Sequence, residues 1–112
     1  MKTINRSVLV VVPKQPFIDW ARQTYDDDDP LEPDALTRDC TAYLVDEVDD
    51  DRQEAARIKR LYETIFTEEL SSWIIDERYW PEKRDYKTFK EWFDIQTHSI
   101  VMDLGRRPLD YD

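Results

Sequence analysis

Glycine, cysteine and histidine each occur only once among the 112 residues, and each scarcity excludes a class of site. Phosphate-binding loops and dinucleotide-binding turns need several glycines so that backbone amides can approach the ligand, and Gly105 alone cannot supply them. One cysteine, Cys40, excludes an intramolecular disulfide and a paired-thiol redox motif. Together with the single histidine, His98, it also provides too few ligands for a zinc site. We therefore expect no cofactor and no zinc centre.

Long apolar runs are absent as well. The longest, Val8–Val12, has five residues, too few for the core of a signal peptide or for a membrane span. The sequence therefore predicts a cytoplasmic protein that does not associate with membranes. Hydrophobic residues still make up 40% of the chain and aromatic residues 12%, which is enough to build a folded core. We expect a single domain over residues 1–105, followed by a loose tail over residues 106–112.

Hydrophobic patterning predicts an α+β domain in which a three-stranded sheet packs against helices, in the order β-α-β-α-α-β. The predicted strands are Val8–Val12, Thr41–Val45 and Thr97–Leu104, and the predicted helices are 16–24, about 51–75 and one that Asp85 caps. The long helix has the clearest signal, since its apolar residues recur every three or four positions. The first strand is apolar throughout, which predicts that both of its faces are covered.

The directions of the strands are harder to derive. A hairpin of the last two helices would return the chain to the end of the sheet at which the second strand finishes. The third strand is therefore expected to run antiparallel to the second. The long polar loop over residues 25–39 leaves the direction of the second strand open. A parallel pair joined by a right-handed crossover is the alternative.

The net charge of the chain comes from one segment. Residues 26–51 contain twelve acidic side chains and one basic one, Arg38, for a local net charge of −11, whereas the remaining 86 residues carry 15 basic and 14 acidic side chains. A local field of this kind attracts basic protein surfaces and repels phosphate backbones. The residues expected to form an acidic binding patch are Asp26, Asp27, Asp28, Asp29, Asp46, Glu47, Asp49, Asp50 and Asp51. We therefore interpret the chain as a non-enzymatic interaction or regulatory module that meets a basic partner, with a nucleic-acid-binding protein as a special case and no direct contact with nucleic acid.

The same carboxylates favour a second hypothesis, a divalent-cation binder built from Asp26–Asp29 and Asp46–Asp51. Hard cations prefer several carboxylate oxygens. The segment lacks the alternating acids, central glycine and closing glutamate of an EF-hand loop, and four adjacent aspartates cannot all face one ion. Asp49–Asp51 also have a structural role available, because negative charge stabilises the start of a helix.

A third hypothesis is a small enzyme or ligand-binding protein with its site near His98. Lys14, Asp19, Asp94 and His98 fall at or near predicted strand ends, where α/β sites tend to form. His98 is the only histidine and is therefore the candidate general base. Ser99 falls on the opposite face of the predicted strand, which excludes a serine–histidine pair of neighbours. We assign no catalytic residue.

Aromatic residues supply a further interaction feature. Trp80 beside Arg84 is a candidate anchor for a partner or for a second copy of the chain, because four tryptophans exceed what a small core readily buries. A homodimer is compatible with each hypothesis. The segment Arg78–Lys87 interleaves basic and aromatic residues as single-strand nucleic acid binders do, but its acidic residues and the net charge favour a simple connection between helices.

Three segments carry a resemblance to other proteins: Val12–Trp20, Leu61–Phe66 and Glu91–Ser99. Over most of its length the chain resembles a family of small acidic bacterial proteins of unassigned function. The resemblance implies a bacterial, cytosolic setting. The shared motifs are tied to no known chemistry, so the resemblance assigns no functional residue.

Overall fold

The computed structural model describes residues 2–24 and 40–111 of the chain. Its elements are β1 (Lys2–Thr3), β2 (Ser7–Pro13), α1 (Gln15–Thr24), β3 (Thr41–Val45), α2 (Asp51–Trp73), a 3-10 turn (Glu77–Tyr79), α3 (Tyr86–Trp92), β4 (Phe93–His98) and β5 (Met102–Asp103). Within these residues the α+β class is confirmed, with a three-stranded antiparallel sheet packed against three α-helices. The run Asp26–Asp29 and the rest of the polar loop up to Asp39 lie outside the described residues.

The sheet has the order β3-β2-β4, with β2 in the centre and antiparallel to both neighbours. β3 and β4 therefore run in the same direction on either side of β2. The expectation that the third strand runs antiparallel to the second is wrong. The alternative of a parallel pair is correct in strand direction, but β2 lies between the two strands. The physical reason is helix length: α2 has 23 residues and α3 has seven, so at about 1.5 Å per residue α3 cannot return the chain to the start of α2.

The third predicted strand is displaced along the sequence. In the structure β4 begins at Phe93, directly after α3, and β5 pairs separately with β1. Four residues separate Thr3 from Val8, whereas three separate His98 from Met102, so one extra residue interrupts the ladder between the two short sheets, as in a β-bulge. The strand predicted over 97–104 is thus two strands with a break.

The alternation that predicted this strand does not correspond to burial. Ile100, Met102 and Leu104 are 71%, 50% and 75% exposed. Phe93 is buried instead, at the start of β4 and in register with Pro13 of β2. The sequence pattern placed Phe93 in the preceding helix, because it follows Phe89 by four residues. Its place in a strand could not be predicted, because pairing with a distant strand leaves no local signal.

The core lies between the inner face of the sheet and the three helices. Leu9 and Val11 of β2 are fully buried against it, while Val8, Val10 and Val12 on the opposite face are only half-buried. Within the described residues, the first strand is therefore fully covered on its inner face and only partly covered on its outer face, short of the expectation that both faces are covered. Aromatic rings fill most of the core, with centroid separations of 5.0–6.2 Å among Phe17, Trp20, Phe66, Phe89, Trp92 and Phe93.

This small core accommodates all four tryptophans. Trp20 is buried, and Trp73, Trp80 and Trp92 pack against it half-buried. The indole N–H of Trp20 donates to the Tyr79 carbonyl at 2.8 Å, and among the described residues those of Trp73 and Trp80 also donate to backbone carbonyls. Satisfied N–H groups let tryptophan enter a core without the cost of an unpaired donor.

Aspartates begin the two later helices. Asp50 accepts a hydrogen bond from the Gln53 N–H at 2.8 Å at the start of α2, and Asp85 accepts one from the Thr88 N–H at 2.8 Å at the start of α3. The bonds to Thr88 hold the pKa of the Asp85 carboxyl below its ordinary value. The predicted cap at Asp85 is confirmed. Among the described helices, none combines the length and the apolarity that crossing a bilayer requires.

Candidate functional site

The acidic loop, residues 46–51, joins β3 to α2 and brings together five of the predicted patch residues. All five side chains are exposed: Asp46, Glu47, Asp49, Asp50 and Asp51. Within the described part of the chain only Asp46 forms an ion pair, with the Arg6 guanidinium at 3.9 Å. The loop is therefore a concentrated anionic surface rather than a set of internal salt bridges.

A buried arginine fixes the acidic loop in place. Arg57 of α2 is 2% exposed; its Nη1 donates to the backbone carbonyl of Asp46, and its Nη2 donates to the Glu54 carboxylate. Glu54 in turn accepts from the Thr97 hydroxyl of β4 at 2.6 Å. One guanidinium thus ties the end of β3, the first turns of α2 and the end of β4 together. Its Nε has no acceptor among the residues described.

Sequence reasoning missed Arg57 and Glu54, although a signal exists. Arg57 stands four residues before Leu61 and eight before Ile65, so it occupies the apolar stripe of the long helix. A charged side chain at such a position needs a buried partner. Glu54, one turn earlier, is the acid within reach.

The other half of the predicted patch, Asp26–Asp29, lies outside the described residues. Between 2–24 and 40–111, no three side chains of the carboxylate, histidine or cysteine type converge as the ligands of a metal ion do. Asp46–Asp51 therefore present charge to solvent without enclosing a coordination site. The divalent-cation hypothesis receives no geometric support from this loop.

The structure separates the residues of the third hypothesis. Lys14 follows β2, where its Nζ donates to a backbone carbonyl of α3 at 3.1 Å, and Asp94 lies near this end of the sheet. Asp19 accepts from a glutamine side chain one turn earlier in α1 at 2.8 Å. His98 is four residues farther along β4 than Asp94, about 13 Å away at roughly 3.3 Å per residue. His98 and the other three residues therefore do not form one site.

Trp80 and Arg84 lie side by side, with the guanidinium carbon of Arg84 5.7 Å from the centroid of the Trp80 ring. Trp80 is half-buried rather than an exposed anchor, and its Nε1 donates to the Ile74 carbonyl at 2.8 Å. Arg84 donates to the Pro81 carbonyl at 2.7 Å. The pair closes the connection between α2 and α3, and its role as an anchor for a partner stays a prediction.

A second polar cluster lies on the inner side of β3. Glu69 of α2 is 8% exposed and accepts from the Thr41 hydroxyl at 3.3 Å. Burial raises the pKa of the Glu69 carboxyl above its ordinary value and outweighs the bond from Thr41, which lowers it. Burial also raises the pKa of the neighbouring Tyr43 phenol, and the charges of Glu69 and Glu68 add to that effect.

We expect Glu69→Gln to stabilise the protein at neutral pH. A carboxyl whose pKa is raised in the folded state favours folding below its unfolded pKa of roughly 4.3, and this contribution is lost as the pH rises through the folded value. The advantage of the variant should therefore grow from pH 4 to pH 7, measured by urea unfolding at several pH values. Glu91→Gln, on an exposed face of α3, is the control. If the difference in the free energy of unfolding between Glu69→Gln and wild type does not change with pH, the raised pKa of Glu69 is contradicted.

Comparisons with other proteins give no relative: no family model, no curated protein and no solved structure matches the chain. The function must therefore be argued from the geometry of the described residues. The resemblance to small acidic bacterial proteins stays a prediction.

Proposed function

We propose that this protein is a non-enzymatic interaction or regulatory module whose acidic loop meets a basic surface on another protein. The observation that carries the proposal is the presence of five exposed acids within six residues, of which only Asp46 has a basic partner in the described chain. Like charges held this close repel one another. A partner that supplies lysine and arginine side chains relieves the repulsion, and this favours association.

The way in which the loop is held supports the same proposal. Arg57 bonds the loop backbone at Asp46, and Asp50 caps α2 through the Gln53 N–H. A loop fixed at both ends loses little conformational entropy when it binds, and this saving favours affinity. The carboxylates are therefore presented on a preorganised frame.

Charge of this kind mainly accelerates encounter and selects among partners. We place the encounter in the cytoplasm. A nucleic-acid-binding protein is the special case of such a partner, since a groove that attracts phosphates also attracts carboxylates. In the sequence, the acids of residues 26–39 add to the same charge.

The test is retention of a binding partner as the loop is neutralised. The variant carries Glu47→Gln, Asp49→Asn and Asp51→Asn, which leaves the Asp46 ion pair and the Asp50 cap in place. Immobilised wild-type protein and variant are exposed to lysate of the native host at about 50 mM salt and washed to about 500 mM, a range over which the Debye length falls several-fold. We expect wild type to retain a protein with a basic surface at low salt and to release it at high salt, and the variant to retain none.

The matched control changes the same number of charges elsewhere. Glu68→Gln, Glu82→Gln and Glu91→Gln are all on exposed positions away from the acidic loop. The control should retain the partner as wild type does. The proposal fails if the loop variant retains the same proteins as wild type, or if the retained protein withstands the high-salt wash.

A further inference from the structure

A cavity of about 270 Å³ opens at the base of the acidic loop. Its walls come from the loop, the start of α2, and the chain at the ends of β2 and β4. The acids Asp49–Asp51 and Glu54 form one side, and the hydroxyl residues Ser7, Thr97 and Ser99 form the other. Pockets for drug-sized ligands are usually roughly 300–1,000 Å³, so this one matches a single side chain better than a whole metabolite.

Ser7 distinguishes this cavity from a simple cluster of acids. It is 3% exposed, and it alternates with Leu9 and Val11 on the helix-facing side of β2, so its side chain points towards the cavity that it lines. No group in the described chain forms a hydrogen bond with its hydroxyl. The hydroxyl is therefore free to form a hydrogen bond with a ligand in the cavity.

The sign of the charge in the cavity determines the class of ligand. Arg57 offsets the charge of Glu54, and the N-terminus of α2 contributes the equivalent of about half a positive charge. Asp49–Asp51 contribute three full negative charges, and none of them forms an ion pair within the described residues. The field is therefore negative, and the cavity favours a cation over an anion.

We propose that this cavity binds the cationic head group of one lysine or arginine side chain of the basic partner. The inference rests on the proposed function and adds to it a fixed point of attachment within the acidic surface. The carboxylates supply charge and acceptors, the hydroxyls of Ser7 and Ser99 supply further acceptors, and Val48 supplies apolar surface for the methylene stem.

The probes are three capped glycine–alanine pentapeptides whose central residue is arginine, lysine or citrulline. Citrulline has the shape of arginine without its charge. Each peptide is titrated into the ¹⁵N-labelled full chain at about 50 mM salt, where screening is weak, and amide shifts are followed. We expect the arginine and lysine peptides to shift the amides of Ser7, residues 48–54 and Ser99, and the relative affinities to identify the preferred head group. The citrulline peptide should shift none of them.

Ser99→Trp tests the cavity without changing the charge. Ser99 is exposed, so the ring can fill the cavity at little cost to folding, and the spectrum of the free variant verifies the fold. Losing the charge-assisted hydrogen bonds of the head group should weaken binding about tenfold or more. His98→Trp places the same ring at the adjacent position, outside the cavity, and should bind as wild type does.

The outcomes separate this inference from the proposed function. If Ser99→Trp binds the peptides as tightly as wild type, or if citrulline shifts the same amides, the cavity is not the site, while a diffuse interaction of the loop with basic surfaces stands. If the neutralised loop variant also retains its partner, the proposed function fails as well. If no peptide shifts these amides up to millimolar concentration, the cavity does not bind a single cationic side chain.

Discussion

Replacing Arg57 with alanine should lower the free energy of unfolding by about 3–5 kcal/mol, the range for breaking a buried ion pair from one side. The Arg57 side chain is 1% exposed and the Glu54 side chain 23%. Removing the guanidinium leaves the Glu54 carboxylate and the Asp46 carbonyl without their donor, and it leaves a void in the apolar stripe of α2. Urea unfolding followed by far-UV circular dichroism measures the change.

Arg60→Ala is the control, because Arg60 is exposed on the same helix and should change the stability by no more than about 0.5 kcal/mol. Arg57→Met keeps most of the side-chain volume, so it isolates the loss of the bonds from the loss of packing. A loss below about 1 kcal/mol in both Arg57 variants would show that the guanidinium is not a structural tie. Under conditions where Arg57→Met is folded, its loop should also bind the basic partner more weakly, although every acid is present.

Phe89→Ala should lower the free energy of unfolding about as much as Arg57→Ala does, but for a different reason. Phe89 is fully buried, and its ring lies 5.4–6.0 Å from the rings of Tyr62, Phe66 and Phe93. Truncating a buried phenylalanine costs about 3–5 kcal/mol, since transfer energy is lost and a cavity remains. The free energy of unfolding of a domain of this size is roughly 5–15 kcal/mol, so the variant should still fold but with a much lower urea midpoint.

Two comparisons make the result for Phe89 specific. Tyr111→Ala removes an aromatic ring that is 91% exposed and should leave the midpoint unchanged. Phe89→Leu leaves a smaller void and should lie between wild type and Phe89→Ala. Because Phe89 packs among the rings of Tyr62, Phe66 and Phe93, whereas Arg57 bonds the loop backbone, folded Phe89→Leu should bind the partner normally, in contrast to Arg57→Met. Equal loss of binding in both would mean that binding follows global stability rather than the position of the loop.

The sequence predicted the elements whose cause is local. The start of α2 could be predicted because apolar residues recur with helical period and because Asp50 precedes the first turn as a cap. The acidic loop could be placed because it follows directly after β3 and directly before this helix. The register of β4 could not be predicted in the same way, because it depends on pairing with β2, about 80 residues earlier.

Of the candidate site, only the negative charge could be predicted from the sequence. The number and proximity of the acids are properties of the sequence, but their anchoring by Arg57 and the cavity beside them depend on three elements meeting. Ser7 and Thr97 are distant in sequence and reach the same cavity because β2 and β4 are paired. No local pattern marks either residue as part of a site.

The order of the sheet has a consequence for how the chain is made. Within the three-stranded sheet the central strand is synthesised before both of its neighbours. Because Val8 must pair with His98, β2 remains without its β4 neighbour until residue 98 has left the ribosome. At about 5–20 residues per second, the 80 residues between Pro13 and Phe93 correspond to roughly 4–16 s. An apolar β-branched strand exposed for so long is prone to pair with other nascent chains. The acids translated during this interval give each nascent chain a strong negative charge, and we expect the repulsion between these charges to oppose such pairing.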